Sequence, residues 1–263
     1  MLISIITPTH APSAHLDETT KGVLSQELPE GWELEWLIQE DGRNPQLSPA
    51  RFSDTRFLYE ANSDHLGVAM TRNNALRRAN GELIQVLDHD DVLLPHALTT
   101  LIKAFEDPSI GWAVAQAHDL MPDGSLKEFP PQFDFGRVPA GHINDRVVSN
   151  GGQWPVHCAS LMLRASLLRA VGGWAALPTD DELSMFTAIS ELSDGWHFEP
   201  ITWLYRQYPE QIHRSSWAQK WSVLSREMAV QRAKALRAIG SNASSIDQHS
   251  NGDVSVNRSV KDK

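Results

Sequence analysis

The sequence predicts an α/β protein with a mostly parallel central sheet flanked by helices. Short apolar runs at residues 2–7, 33–39 and 82–87 end at polar or turn residues, which is typical of buried strands in a parallel sheet. Segments with helical spacing separate these runs, and strands that alternate with helices indicate βαβ units. Polar clusters follow all three runs, so we expect them to meet at the carboxyl edge of the sheet.

The amino-terminal half carries most of the regular pattern. Predicted strands span residues 2–7, 33–39, 56–59, 82–87 and 112–117, and predicted helices span 16–27, 67–79 and 95–106. Pro8 is expected to close the first strand, because proline has no amide hydrogen for a ladder. Gly81 is expected to stop the second helix, and Pro95 suits the first turn of the third.

The carboxyl-terminal half is less regular. Residues 120–155 are rich in proline and glycine, and a long loop in a compact domain is usually a lid or a binding loop. Further elements are predicted as helices at 164–170, 182–192 and 217–239 and as a strand at 197–205. After Gly240 the apolar content falls, which predicts a disordered tail over 241–263.

The composition is that of an ordinary globular protein, with 41% hydrophobic and 21% charged residues among 263. A net charge of -10 argues against sequence-independent nucleic-acid binding, which relies on basic surface. The lone cysteine, Cys158, excludes an intrachain disulfide framework and favours a reducing cytoplasm. We interpret it as a small buried side chain. No apolar stretch is long enough to predict a transmembrane helix, and the amino terminus lacks the basic region of a signal peptide.

Three carboxylates, Asp88, Asp90 and Asp91, follow the apolar run at 82–87. Like charges this close repel one another, so the cluster favours a counter-cation. Mg²⁺ and Mn²⁺ prefer oxygen ligands and often bind through one or two carboxylates together with substrate phosphates. The cluster therefore predicts a metal–diphosphate site at a strand end. The alternative is a solvated acidic turn, with Asp91 near the N-cap of the next helix.

Several motifs occur in an order and spacing that can be compared with known families. They are Ile-Ser-Ile-Ile-Thr-Pro-Thr at 3–9, Glu-Asp-Gly at 40–42, Gly-Val-Ala-Met-Thr-Arg-Asn-Asn-Ala-Leu at 67–76, Ala-Asn-Gly-Glu at 79–82, Leu-Asp-His-Asp-Asp at 87–91, Leu-Arg through Val-Gly-Gly-Trp at 163–174, and Thr-Asp-Asp-Glu-Leu at 179–183. Together they resemble the family-two inverting glycosyltransferases of the GT-A fold, over about residues 1–210. The resemblance implies a Rossmann-like donor-binding half at 1–120, an acceptor-binding and catalytic half at 121–210, and a helical segment at 211–240.

The resemblance also implies a donor site built from the strand ends. Thr7, Pro8 and Thr9 would lie against the nucleoside. Asp41 would accept a hydrogen bond from a uracil-like base, and Arg72 would lie near the donor phosphates or ribose. Two plainer interpretations stay open: Asp41 as a turn residue, and Arg72 as an exposed helix cation.

The same resemblance assigns the Asp-x-Asp pair to a metal, Mn²⁺ or Mg²⁺. Asp90 would be the more direct ligand, Asp88 would also face the donor ribose or sugar, and Asp91 would stand behind them. Asp181 would be the general base that takes the proton of the acceptor hydroxyl, with Asp180 as the second choice. The alternative for this second pair is an N-cap of the following helix.

One position departs from the family pattern. Related sequences often carry a histidine two residues after the arginine that corresponds to Arg206, and Tyr208 stands here. His213 is a candidate for a metal or phosphate contact, although a surface loop explains it equally well. Trp154 and His157 lie where the acceptor should approach, with a core role as the alternative for Trp154.

These features predict a metal-dependent glycosyltransferase that uses a nucleotide-diphosphate sugar, with UDP favoured, and a soluble or glycan acceptor. A nucleotidyltransferase is a competing hypothesis, but Pro8, Thr9 and His10 stand where its glycine-rich phosphate loop would lie. A non-catalytic nucleotide-binding protein is a third hypothesis. The helix at 217–239 is expected to cover the acceptor site or to form a homodimer contact.

Overall fold

Ten strands form one mixed sheet within residues 1–10, 14–48, 54–150, 154–157, 160–209 and 211–250, which are the residues that the computed structural model describes. The strands are β1 (Leu2–Thr9), β2 (Glu33–Glu40), β3 (Phe57–Ala61), β4 (Leu83–Val86), β5 (Val92–Leu93), β6 (Ile110–Leu120), β7 (Leu126–Glu128), β8 (Gly136–Val138), β9 (Met162–Arg164) and β10 (Asp194–Arg206). The helices are α1 (Leu16–Leu24), α2 (Val68–Arg78), α3 (Ala97–Ile102), α4 (His142–Ser149), α5 (Ala165–Ala170), α6 (Asp181–Leu192) and α7 (Ser216–Ser250). Short 3-10 segments lie at Lys103–Glu106 and Ile212–Arg214.

The order of the strands brings β1, β2 and β4 side by side. It is β3-β2-β1-β4-β9-β6-β10-β5, with β7 paired to β6 and β8 paired to β10. Strands β1 to β4 run parallel, so their carboxyl ends lie at the same edge. Strand β9 runs antiparallel between β4 and β6 and joins the two parts of the sheet. The predicted α/β architecture is thus confirmed, with a parallel amino-terminal part inside a mixed sheet.

Apolar side chains cover both faces of the sheet, because successive strand residues point to opposite sides. Ile6 and its same-face neighbours pack with α2 and α6, whereas Ile5 and its neighbours pack with α1 and α3. The largest fully buried side chains include Trp36, Trp112, Trp174 and Trp203. These four tryptophans therefore complete the core rather than offer a stacking surface to a ligand.

Two residues that were predicted to end elements have other roles. Pro8 lies inside β1, beyond Ile6, where β1 has lost its pairing with β4, and proline is tolerated at such an edge. Helix α2 ends before Gly81, which packs on β1 instead. A methyl group added to Gly81 would come within 2.5 Å of the Ser4 amide nitrogen. Glycine is required there by a close backbone approach, not by a helix stop.

The irregular pattern at 120–155 contains regular structure, so the prediction of one long structureless loop is wrong for its described residues. Strand β7 forms a hairpin with β6, and β8 pairs with β10. Helix α4 follows Gly141, whose φ of 80° is in the left-handed region that glycine adopts without strain. Strands β5 and β9 were not predicted either, because two or three residues show no periodicity.

Helix α7 packs mainly against α6 and continues to Ser250. It passes through Gly240, so the tail that was predicted to be disordered is helical up to Ser250. Residues 251–263 and Cys158 lie outside the described residues. In the part of the chain that the structure describes, no helix is long and apolar enough to cross a membrane.

Candidate active site

The carboxyl ends of β1, β2 and β4 form the edge on which the candidate site is built. Thr7 is buried and accepts a hydrogen bond of 2.8 Å from Trp36 Nε1, so it supports this edge from the core side. Pro8 and the buried Thr9 continue β1 beside β2. The Asp41 amide donates to the Thr9 carbonyl oxygen at 2.7 Å and fixes the start of the next loop.

Asp41 follows β2 directly and is the centre of a dense set of hydrogen bonds. One carboxylate oxygen accepts from Asn62 Nδ2 at 2.9 Å and from Leu66 N at 2.7 Å. The other accepts from Gly67 N at 2.8 Å and lies 2.8 Å from His65 Nδ1. Burial alone raises the pKa of Asp41, but these hydrogen bonds and the His65 charge hold the pKa below its ordinary value. Asp41 is therefore an ionised acceptor that organises the turn into α2.

An open cavity of about 540 Å³ lies beside Asp41. Its lining consists of His10, Asp41, Gly42, Arg43, Asn44, Gln46, Asp64 and His65. The His10 and His65 ring centroids are 4.6 Å apart. Among the described residues, the group of three metal-ligand side chains with atoms within 4.8 Å of one another is His10, Asp41 and His65. Within the part of the chain that the structure describes, Asp88 and Asp90 do not form such a group with a third protein ligand.

Arg72 connects the two parts of the site. Its side chain is 3% exposed, so the interpretation as an exposed helix cation is wrong. Nη2 donates to Asp88 Oδ1 at 2.7 Å and also pairs with Glu182. Nη1 donates to Asp181 Oδ2 at 3.0 Å. Burial alone lowers the pKa of Arg72, but the three carboxylates raise it, so the guanidinium stays charged. One buried cation therefore links the end of β4 to the start of α6.

Asp180 and Asp181 point in different directions. Asp180 has a φ of 55°, and its carboxylate accepts a 2.5 Å hydrogen bond from Ser222 Oγ and lies 3.3 Å from Arg226 Nε, both on α7. It stands at the N-cap position of α6, but its side chain makes no capping hydrogen bond. Asp181 is buried and faces Arg72. Burial raises the pKa of Asp181, although the Arg72 charge opposes the shift.

Tyr208 contacts the predicted metal ligand, with its hydroxyl donating to Asp90 Oδ2 at 2.6 Å. Arg206 Nε donates to the Asp90 carbonyl oxygen at 2.8 Å, and the Arg206 amide donates to Asp91 Oδ1 at 3.0 Å. Asp91 is fully buried, so the solvated-turn alternative is wrong for this residue. Burial and the charges of Asp90 and Asp88 raise the pKa of Asp91. Its Oδ2 atom has no hydrogen-bond partner among the described residues.

Histidine and aromatic rings gather beside β10. The His157 ring lies 4.8 Å from Trp203 and 4.2 Å from Tyr205, centroid to centroid. The surrounding protein removes water from His157 and lowers its pKa to about 4, so the ring is neutral at pH 7. His213 Nδ1 lies 3.4 Å from the Tyr205 hydroxyl, on the same side of the strand. Trp154 is half-buried and packs against the core, as its alternative interpretation predicted.

The chain is similar in sequence to a known family and to several known proteins. The sequence profile of Glycosyl transferase family 2 matches residues 4–169. The chain belongs to this family. An uncharacterized protein of Mycobacterium tuberculosis is 31% identical over 182 residues, which are 68% of this chain and 52% of that protein. The Escherichia coli UDP-Glc:alpha-D-GlcNAc-diphosphoundecaprenol beta-1,3-glucosyltransferase is 32% identical over 102 residues, which are 39% of this chain and 40% of the relative. The chain thus spans about half the length of these curated relatives, or less.

Solved structures of other proteins share the fold of this family-two member. S. aureus TarS 1-349 in complex with UDP-GlcNAc superposes with a TM-score of 0.63 at 18% identity, over 82% of this chain and 61% of that chain. The mannosyltransferase PcManGT from Pyrobaculum calidifontis, in complex with GDP-Man and Mn2+, superposes with a TM-score of 0.57 at 17% identity. The superposition covers 96% of this chain and 76% of the PcManGT chain. The GT-A fold is thereby established for this chain.

Some residues of the candidate site were not predicted from the sequence. Glu182 is the clearest case: it was interpreted only as part of a helix, yet it pairs with Arg72. The run of three carboxylates from Asp180 to Glu182 is a signal that could have identified it. Asn62, which donates to Asp41, follows a short strand and has no motif of its own. Tyr208 was noted only as a departure from the family pattern.

Glu182 gives a testable pH effect on stability. Burial raises its pKa to about 8 from an ordinary value of 4.5, although the Arg72 charge opposes this. A raised folded-state pKa means that the native state binds more protons between about pH 4.5 and 8, so this contribution to stability is lost as the pH rises. We expect Glu182→Gln, which cannot ionise, to raise the melting temperature at pH 8 and to leave it nearly unchanged at pH 5.

The measurement is thermal unfolding of the wild type and the variant at pH 5, 6.5 and 8. Glu128→Gln on the exposed β7 is the matched control, since it removes the same charge from a solvated position. The expectation would be contradicted if the melting temperature of Glu182→Gln, compared with that of the wild type, fell as the pH rose.

Proposed function

We propose that this protein is a metal-dependent, inverting glycosyltransferase. It moves a sugar from a nucleotide-diphosphate donor, with UDP-sugars favoured, to a hydroxyl of a soluble or glycan acceptor. The proposal rests on Arg72. This one buried cation contacts both Asp88 on the donor side and Asp181 on the acceptor side. Membership of Glycosyl transferase family 2 supports the same reaction class.

The donor base is proposed to bind beside Asp41, in the cavity after β2. An ionised carboxylate only accepts hydrogen bonds, so it favours a base that presents an imide N–H, as uracil does. The name of the E. coli relative gives UDP-Glc as its donor, and TarS was solved with UDP-GlcNAc. The complex of PcManGT contains GDP-Man, so guanine is the competing base. Residues 1–120 form the donor half in this proposal.

The residues at the end of β4 fit a divalent cation. The Asp88 and Asp90 carboxylates are partly exposed at the edge of the sheet, and carboxylate oxygens suit Mg²⁺ or Mn²⁺ when diphosphate oxygens complete the coordination. Behind the pair, the buried Asp91 Oδ2 atom has no hydrogen-bond partner among the described residues. Burial and the charges of Asp90 and Asp88 raise the pKa of Asp91, and a bound cation would offset these two charges. Asp90 and Asp88 would hold the ion, with His213 as a weaker candidate. The bound ion would stabilise the negative charge that develops on the leaving diphosphate.

Asp181 is proposed as the general base. It takes the proton of the acceptor hydroxyl while the acceptor oxygen bonds to the anomeric carbon. The bond from that carbon to the diphosphate oxygen breaks on the opposite face, and its electron pair leaves with the nucleoside diphosphate. This in-line exchange inverts the anomeric configuration. The Arg72 charge opposes the rise in the Asp181 pKa that burial causes. Trp154 and His157, in the acceptor half at 121–210, are proposed to face the acceptor.

A nucleotidyltransferase and a non-catalytic nucleotide-binding protein remain the competing proposals. The three activities differ in what they release: sugar transfer gives a nucleoside diphosphate that accumulates with acceptor, nucleotidyl transfer gives pyrophosphate, and simple binding gives neither.

The single cysteine continues to favour a reducing compartment such as the cytoplasm.

A thermal-shift panel tests the donor site. UDP, TDP, GDP, ADP and CMP are each added with and without Mn²⁺. A ligand that binds only the native state stabilises it by about 2.7 kcal/mol at a concentration of 100 Kd, which corresponds to about 5–11 °C for a protein of this size. We expect such a shift for one diphosphate with Mn²⁺, and its loss in Asp90→Asn.

Asp123→Asn is the matched control, because it neutralises a carboxylate of an exposed turn while keeping a side chain that can bond to Ser125. The melting temperature of Asp123→Asn should rise with the nucleotide as much as that of the wild type. The absence of a shift with every nucleotide, or an undiminished shift in Asp90→Asn, would contradict the proposed donor site.

A further inference from the structure

His65 occupies the remaining acceptor position of Asp41. The ionised Asp41 carboxylate has about four lone-pair sites. Three are filled by the Asn62, Leu66 and Gly67 donors. The His65 Nδ1 atom lies 2.8 Å from the oxygen that Gly67 contacts, as an ion-pair partner, and covers the fourth. The proposed hydrogen bond from a nucleobase therefore has no acceptor to bind while all four donors stay in place.

Three of these four donors are fixed by the fold. The Leu66 and Gly67 amides belong to the backbone turn that enters α2. Asn62 is buried, and its side chain also bonds to Gln39 and Asn74 through its own oxygen. None of the three can move without dismantling the start of α2, so none of them is the donor that a base would replace.

The fourth donor is free to move. The His65 side chain is 67% exposed, whereas the Asp41 side chain beneath it is 5% exposed. Besides Asp41, the His65 ring contacts the His10 ring, at 4.6 Å between centroids and 51° between planes. Rotating the imidazole away therefore breaks one 2.8 Å contact with Asp41 and one tilted ring contact, and it uncovers Asp41 toward the cavity that both histidines line.

We propose that His65 closes the nucleobase site in the nucleotide-free protein, and that a base with an imide N–H enters by replacing the His65 Nδ1–H on Asp41. This inference rests on the proposed nucleotide-sugar function. The exchange conserves the number of hydrogen bonds, since one N–H leaves the carboxylate as another arrives. Because Asp41 only accepts, Nδ1 carries the hydrogen in the closed state.

The exchange requires a base with an N–H group at the position that faces Asp41. Uracil presents N3–H, which can take the position of the imidazole N–H. Cytosine has a lone pair at N3, which would face the Asp41 carboxylate. UDP and CDP differ only in this part of the molecule, so the pair isolates the base contact from the contacts of ribose and diphosphate.

Isothermal titration of UDP and CDP tests the proposal, in Mg²⁺ buffer freed of transition metals so that no soft cation bridges the two histidines and Asp41. Removing the competing donor in His65→Ala is expected to lower the Kd for UDP about 3- to 10-fold, the worth of one hydrogen bond. His65→Asn keeps an N–H near the same position and should bind like the wild type. His142→Ala removes an exposed histidine at the start of α4 and is the unrelated control.

Each result of the titration either supports or overturns the proposal. Tighter UDP binding in His65→Ala, with no gain for CDP, supports the closure. Unchanged or weaker UDP binding in His65→Ala overturns it, and weaker binding would make His65 a direct contact of the base. An equal gain for CDP overturns the N–H exchange. Absence of UDP and CDP binding in all four proteins would overturn the proposed uridine donor and this inference with it.

A second measurement does not depend on a change of affinity. In the NMR spectrum of the wild type, the Nδ1 signal of His65 should be that of an Nδ1–H held against the Asp41 carboxylate, and it should change to that of a solvated ring when UDP is added. Persistence of this signal in the UDP complex overturns the proposal, whatever the binding constants are.

Discussion

Asp181→Asn is expected to reduce the rate of sugar transfer by about 10²- to 10⁴-fold, the usual contribution of a positioned general base. The amide has nearly the shape of the carboxylate but cannot take the proton of an acceptor hydroxyl. Arg72 keeps two other carboxylate partners, Asp88 and Glu182, so the fold and the donor site should survive the change. The loss should therefore appear in kcat, with the affinity for the nucleoside diphosphate retained.

The rate can be followed without a known acceptor, as release of UDP from a panel of UDP-sugars when water replaces the acceptor. Asp180→Asn is the comparison, because its carboxylate faces Ser222 and Arg226 on α7. A larger loss in Asp180→Asn than in Asp181→Asn would transfer the role of base to Asp180. Equal activity of Asp181→Asn and wild type would remove Asp181 from the mechanism.

Arg72→Met is expected to destabilise the fold by about 3–5 kcal/mol, the usual result of removing one partner from a buried ionic group. Asp88, Asp181 and Glu182 would face one another with no cation among them. A loss of this size corresponds to a fall in melting temperature of about 10 °C. Sugar transfer should be lost as well, because Asp181 would take up a proton when the opposing charge is gone.

Arg77→Met is the matched control, since it removes the neighbouring cation of α2 from a side chain that is 71% exposed. An exposed pair contributes at most about 1 kcal/mol, so this variant should unfold close to the wild type. Adding Glu182→Gln to Arg72→Met should restore part of the lost stability by removing one of the three carboxylates. A melting temperature of Arg72→Met within about 2 °C of the control would contradict the account of the buried network.

The sequence predicted the parallel part of the sheet because its strands are long apolar runs with polar ends. Asp88 and Asp90 were recognised for the same reason, since their placement at a strand end is a local property of the chain. The bond between Arg72 and Asp181 joins residues 109 positions apart, and no local pattern encodes which carboxylates an arginine will meet.

The remaining misses have other physical causes. The direction of Asp180 depends on the packing of α7 against α6, which is a tertiary contact. His65 is exposed and lies outside every motif, so its bond to Asp41 could be found only from the structure. Strand β9 has three residues and no periodicity, yet it completes the middle of the sheet.

The position of β9 has a consequence for how the protein is made. Residues 162–164 lie between β4 and β6, so both strands keep an open edge until this segment has left the ribosome. An open edge can pair with another chain, and a nascent fragment of 1–120 therefore carries unpaired strand edges on β4 and β6. The proposed donor and acceptor halves consequently cannot be exchanged as separate modules, because β4 and β6 are joined by three residues of β9 that are synthesised after both.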